Sequence, residues 1–138
     1  MKNQLSEQKG DVRVKLAALW ASFMFLYIYV DYFHLYMPGS LQDMLSGKVY
    51  TFSVSQAFLT ASLLSIMIPA LMIYLSVGLP AKLSRWLNII FATFYIPYSL
   101  FNLAGEAWVH MWIGAAVEVV LLLLVIRTAR KWPTVGSK

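Results

Sequence analysis

The 138-residue chain has no cysteine. That excludes thiol–disulfide exchange, thiolate metal sites, iron–sulfur clusters and covalently attached c-type haem, all of which need a sulfur. Charge is nearly as scarce. Only 12% of residues are charged, against about 25% in a soluble globular domain. There is no Gly-rich phosphate loop and no nucleophile elbow with a Ser/His/Asp arrangement. No lysine falls inside an apolar run, so a retinal Schiff base has no attachment point. Only two histidines are present, which limits any imidazole-based chemistry to His34 and His110.

What fills the chain instead is apolar surface. Hydrophobic residues make up 60% of it, and the mean hydropathy is +0.68. A domain this small cannot hide so much in a core, because much of its surface stays exposed. Lipid is the solvent that accommodates it. The reading is an all-α integral membrane protein in one domain, a four-helix bundle with spans at about residues 15–37, 54–77, 86–103 and 108–126, each near the ~20 residues that cross a bilayer core. Pro38-Gly39-Ser40, Gly78-Leu79-Pro80 and Ala104-Gly105-Glu106 separate them. The last turn is short enough to make its two helices antiparallel neighbours. Basic residues precede the first span, as in a secretory signal peptide, but the apolar run is long, aromatic and lacks a small-residue cleavage site, so it reads as a retained span.

The net charge of +5 comes from residues at segment ends rather than from a patch with interleaved aromatics. It is a topology signal and points to no nucleic-acid partner. Lys2, Lys9, Arg13, Lys15, Lys82, Arg85, Arg127, Arg130, Lys131 and Lys138 fall on one side, and Lys48 alone on the other. The positive-inside rule then sets both termini in the cytoplasm of a multi-pass protein of the inner (cell) membrane, with lipids as its first partners.

Ionisable residues within a membrane are costly and therefore functional candidates. Asp31 and Glu118 are the two. At about 1.5 Å rise per residue both fall from the midplane outward. In the first helix Ala17, Ala21, Met24, Ile28 and Asp31 share a stripe; in the fourth, Gly114 and Glu118 do. Asn88, Tyr95, Ser99 and Asn102 form a polar stripe on the third, and Gln56 with Thr60 mark the outer end of the second. Converging polar groups at one end of a bundle build a site between helices. The expected ligand-binding set is Asp31, Glu118, Tyr27, His34, Gln56, Tyr95, Asn102, His110 and Met111, rimmed also by Tyr32, Tyr98 and Trp112. Against this stands mutual satisfaction of the amides and hydroxyls as interhelical hydrogen bonds.

Pro69 and Pro97 free the carbonyls of Ser65 and Thr93 one turn earlier; packing curvature is the commoner meaning of such kinks. Asp31 with His34, and Glu106 with His110, stand at helical spacing that can ligate zinc, iron or haem. Interfacial histidines bonded to water or headgroups are the commoner case, so no cofactor and no metal are expected.

In size, span count and termini, residues Lys15 to Arg130 resemble small four-helix bacterial membrane proteins such as the DoxX-like group, a resemblance of layout that carries no site residues with it. The small multidrug resistance transporters also have four short helices, but with one membrane glutamate in the first and a weak charge bias. The leading expectation is a non-enzymatic protein that binds a small or lipidic ligand in an outward-facing pocket. Alternatives are a proton-coupled carrier acting as a homo-oligomer, a metal- or haem-dependent membrane enzyme, and a structural subunit of a membrane complex.

Overall fold

The computed structural model describes residues 10–105 and 107–135. These form α1 (Val12–His34), the short α2 (Ser40–Leu45), a hairpin of β1 (Lys48–Val49) and β2 (Phe52–Ser53), α3 (Gln56–Gly78), α4 (Ala81–Phe101) and α5 (Val109–Arg130). Among them α1, α3 and α5 are long and apolar enough to cross a membrane. The protein is a mostly helical membrane protein.

Helix ends follow local chemistry rather than hydropathy, so they differ from the expected spans. Asp11 caps α1, its carboxylate accepting from the Arg13 N–H at 3.0 Å, and the helix starts three residues before the apolar run. Ser55 caps α3 by accepting from the Phe58 N–H at 3.1 Å. Pro80 opens α4, which carries Lys82 and Arg85 within its first turns although neither is apolar. The α5 helix continues through Arg127 to Arg130, where cations favour the negative end of the helix dipole. The loop expected after the first span contains α2 and the hairpin, turned by Gly39 and Gly47 at positive φ.

In α4 the usual sidedness is reversed. Its buried residues are Ser84, Asn88, Ala92, Tyr95 and Ser99, a small and polar stripe at helical spacing. Leu83, Trp86, Ile90, Phe94 and Leu100 face away from the protein. Polar groups are cheaper between helices than against lipid, which explains why this helix is the least apolar of the long ones and still packs against α5 and α3. Helix α1 completes the packing against α3 and α5.

The core gathers Leu16, Trp20, Phe23 and Tyr27 of α1 with Met72, Ala92, Tyr95, Leu122, Val125 and Ala129. Trp20, Phe23 and Tyr95 meet edge to face, with centroids 5.8–6.3 Å apart, the arrangement that ring quadrupoles favour. The core face of α1 is therefore this aromatic stripe. Of the expected stripe only Met24 is fully buried; Ala17 and Ala21 sit on its flank and Ile28 points outward. Volume decided the face, because large rings gain more packing contact than small residues do.

Towards the basic ends of the helices lies a buried polar knot. The Asn88 side-chain carbonyl accepts from the Trp20 indole N–H at 2.7 Å and from the Ser76 hydroxyl at 3.2 Å. Its amide donates to the Ser84 carbonyl at 2.8 Å, while the Ser84 hydroxyl donates to the Ser76 carbonyl at 3.1 Å. Three helices, α1, α3 and α4, are tied at one point. Across the α1–α5 seam Gly114 allows backbone approach: a Cβ there would lie 2.5 Å from the Val30 Cγ2. Small residues at such crossings are the usual device in membranes.

Candidate functional site

A cavity of about 460 Å³ opens at the end of the helices opposite the basic cluster. Its volume is in the range of small-molecule sites. Tyr27, Val30 and Asp31 of α1 line it, as do Ser99 and Phe101 of α4, Asn102 just beyond that helix, and Met111, Ala115 and Glu118 of α5. The turn Tyr50-Thr51 and Phe52 cover one side, and the α4–α5 loop Leu103-Ala104-Gly105 another.

Tyr27 joins the cavity lining to a set of tyrosines whose hydroxyls are satisfied. Pro69 has no N–H, so the Ser65 carbonyl lacks its helical donor. The Tyr95 hydroxyl of α4 donates to that carbonyl. Beside it, Tyr98 donates to the Ser65 hydroxyl at 3.0 Å, and Tyr27 donates to the Tyr98 hydroxyl at 3.3 Å. The Ser65 hydroxyl in turn donates to the Ser62 carbonyl. The chain of donors ends on backbone, so these rings brace α3 against α1 and α4.

The walls differ in kind. Asp31 and Glu118 come from two helices that pack together; Glu118 is only 3% exposed, whereas Asp31 is exposed. Among the described residues the lining contains these two carboxyls and no Lys, Arg or His. Ser99 is 1% exposed, and its hydroxyl oxygen is buried without a hydrogen-bond partner. Buried polar groups are nearly always paired, and an orphan asks for an explanation. Glu118 stands beside that hydroxyl, but no hydrogen bond of acceptable geometry joins them.

The hairpin brings a strained residue. Tyr50 has φ of 53°, a conformation that costs a non-glycine residue about 1–3 kcal/mol unless its surroundings hold it. What holds it is His34: the rings stack at 4.5 Å and 22°, with the Tyr50 hydroxyl 3.3 Å from the His34 Nδ1. Burial, and then the negative charge of Asp31, push the Tyr50 hydroxyl above its ordinary pKa.

Five of the nine residues expected from the sequence therefore meet at one cavity: Tyr27, Asp31, Asn102, Met111 and Glu118. The other four do not line it. His34 supports Tyr50 and lies 3.2 Å from the Met37 sulfur. His110 turns towards Trp108, with an Nε2 that is buried and unpartnered. Gln56 is exposed at the start of α3, where its carbonyl accepts from the Thr60 hydroxyl. Tyr95 is spent on the proline-freed carbonyl. Of the expected rim, Tyr32 and Trp112 point outward, Tyr32 pairing with Tyr36 one turn on. Depth and spacing cannot tell an inward ring from an outward one at the same level. Among the described residues, no three His, Cys, Asp or Glu side chains gather as a metal set; Glu106, half of one candidate pair, lies outside those residues. Tyr50, Thr51, Phe52 and Phe101 were not foreseen. Gly47, three residues before Tyr50, was the available signal for a turn.

Helices long and apolar enough to span a bilayer, with a cavity carrying two carboxyls at one end, define a polytopic membrane protein. Residues 3–136 match a family of unknown function (DUF6326), and the chain belongs to that family. No curated protein and no solved structure matches the chain.

Proposed function

We propose that this protein binds a small or lipidic ligand in the cavity between α1, α4 and α5, and that all four long helices cross the membrane as a four-helix bundle. The observation that carries this is the pairing of two acids and an orphaned buried hydroxyl, Asp31, Glu118 and Ser99, around one 460 Å³ space. Acids are expensive choices where an amide would bridge. If the role of the cluster were only to hold helices together, the Ser99 hydroxyl would be paired, as those of Ser76 and Ser84 are.

The 21 residues of α4 extend about 30 Å at 1.5 Å each, enough to cross a hydrocarbon core. Its two basic residues lie in the first turns, from which long side chains reach the interface. With four crossings the basic ends share one side, and the positive-inside rule makes that side the cytoplasm. The cavity then opens outward from the inner membrane. A reporter after Lys138 should score as cytoplasmic and one inserted at Lys48 as external; the reverse at both sites would turn the cavity inward. Equilibrium binding of an aromatic probe to protein in nanodiscs tests the cavity itself. Ala115→Phe, which fills it, should abolish binding, and unchanged binding would refute the site.

One observation also favours a second reading. Two titratable carboxyls sharing a space without a cation suit a proton-coupled carrier. Four helices leave little room for alternating access, so such a carrier would act as a homo-oligomer. Ligand-dependent proton uptake by proteoliposomes would distinguish it from a simple binder.

A further inference from the structure

The charge on the cavity wall is of one sign. Asp31 and Glu118 contribute carboxyls from two helices, and among the described residues no Lys, Arg or His lines the space to balance them. Glu118 is only 3% exposed, and an uncompensated acid so buried either gives up its charge or takes a cation. The remaining lining shows which kind of cation would fit. Four aromatic residues, Tyr27, Tyr50, Phe52 and Phe101, line the space together with Val30 and Met111. Ring faces attract cations, and apolar walls need an apolar body to cover them. A bare metal ion would leave those walls uncovered. Ser99 adds a hydrogen-bonding oxygen that is 1% exposed and without a partner. An ammonium N–H is a donor it can accept from, next to the Glu118 carboxyl.

We propose that the ligand of this cavity is an organic cation, a protonated amine on an apolar, aromatic-sized body. The ammonium sits between Asp31, Glu118 and the Ser99 hydroxyl, and the apolar body lies under the Tyr50–Phe52 turn. This rests on the cavity being a ligand site, as argued above, and adds the chemistry of what it takes. Anionic ligands are disfavoured by the same two carboxyls. Neutral ones of the same shape lose the charge-assisted hydrogen bonds, which are the strong ones.

The test compares three probes of nearly equal shape on full-length protein in nanodiscs, with empty nanodiscs subtracted. Labelled phenethylamine is the cation, 2-phenylethanol its uncharged isostere, and 3-phenylpropionate the anion. Phenethylamine should saturate one site. The alcohol should compete at least tenfold more weakly, and the carboxylate not at all. Glu118→Gln and Asp31→Asn keep shape and remove charge; each should weaken the amine at least tenfold and leave the alcohol within twofold. Equal affinity for amine and alcohol, with both abolished by Ala115→Phe, would overturn the cation and keep the cavity. No saturable binding by any probe, or binding indifferent to Ala115→Phe, would overturn both. The comparison of probes on the unaltered protein needs no variant, so a variant that fails to fold does not blunt it.

Discussion

Asn88 is the position at which one substitution should cost most for the fewest atoms lost. It is fully buried, and its side-chain carbonyl is what the Trp20 indole N–H bonds to at 2.7 Å. In Asn88→Ala that donor is left in the core with nothing to accept from it, a penalty of about 1–3 kcal/mol. Ser76 keeps its bond to the Met72 carbonyl at 2.6 Å, and the Ser84 carbonyl still has a backbone N–H available in the helix. The orphaned indole therefore dominates. Ser76→Ala removes a different bond of the same knot, and there Asn88 retains Trp20, so nothing is orphaned. Its cost should be that of an average interhelical hydrogen bond in a membrane, about 0.6 kcal/mol. Asn88→Leu refills the space but not the acceptor and should recover little of the loss. Unfolding equilibria in mixed micelles give the three values directly. If Asn88→Ala and Ser76→Ala cost the same, or if Asn88→Leu restores full stability, the knot holds by volume and the hydrogen-bond argument is refuted.

Two other perturbations test the packing around the cavity. Gly114→Ala sets a methyl group against the Val30 side chain, where a Cβ would lie 2.5 Å from Cγ2, so it should destabilise by about 1–3 kcal/mol, and adding Val30→Ala should recover most of the loss in the same unfolding assay. Tyr95→Phe leaves the Ser65 carbonyl without its donor and should cost about 1 kcal/mol, but in a Pro69→Ala background, where a helix N–H returns, it should cost close to nothing; additive losses would show that Tyr95 does not serve the proline-freed carbonyl.

Legibility in the sequence was uneven for a physical reason. Two carboxyls inside apolar helices are visible in any hydropathy trace, and depth arithmetic puts both Asp31 and Glu118 from the midplane outward; the two line one cavity. Pro69 announced that the Ser65 carbonyl would need a donor, though not that a tyrosine of another helix would supply it. Facing was harder. In lipid, apolar residues point both ways, so the contrast that reveals the inner face of a soluble helix is lost. That is why the core stripe of α1 is Trp20, Phe23 and Tyr27, one step round from the small residues that had marked it. The Tyr50–Phe52 turn was hidden for another reason. Four strand residues carry no readable period, and Tyr50 holds a backbone conformation that its residue type argues against.

The order in which the knot and the cavity are completed along the chain separates them in time. Trp20, Ser76, Ser84 and Asn88 have all been synthesised before the first residue of α5. Helices α3 and α4 are joined by only Leu79 and Pro80, so the two are neighbours as soon as both are made. The polar face of α4 then has Ser76 opposite it and Trp20 already waiting, and it need not face lipid alone. Met111, Ala115 and Glu118 arrive last. A chain that ends before α5 contains every residue of the knot but lacks part of the cavity lining, so the acid of α5 is the later of the two carboxyls to be made.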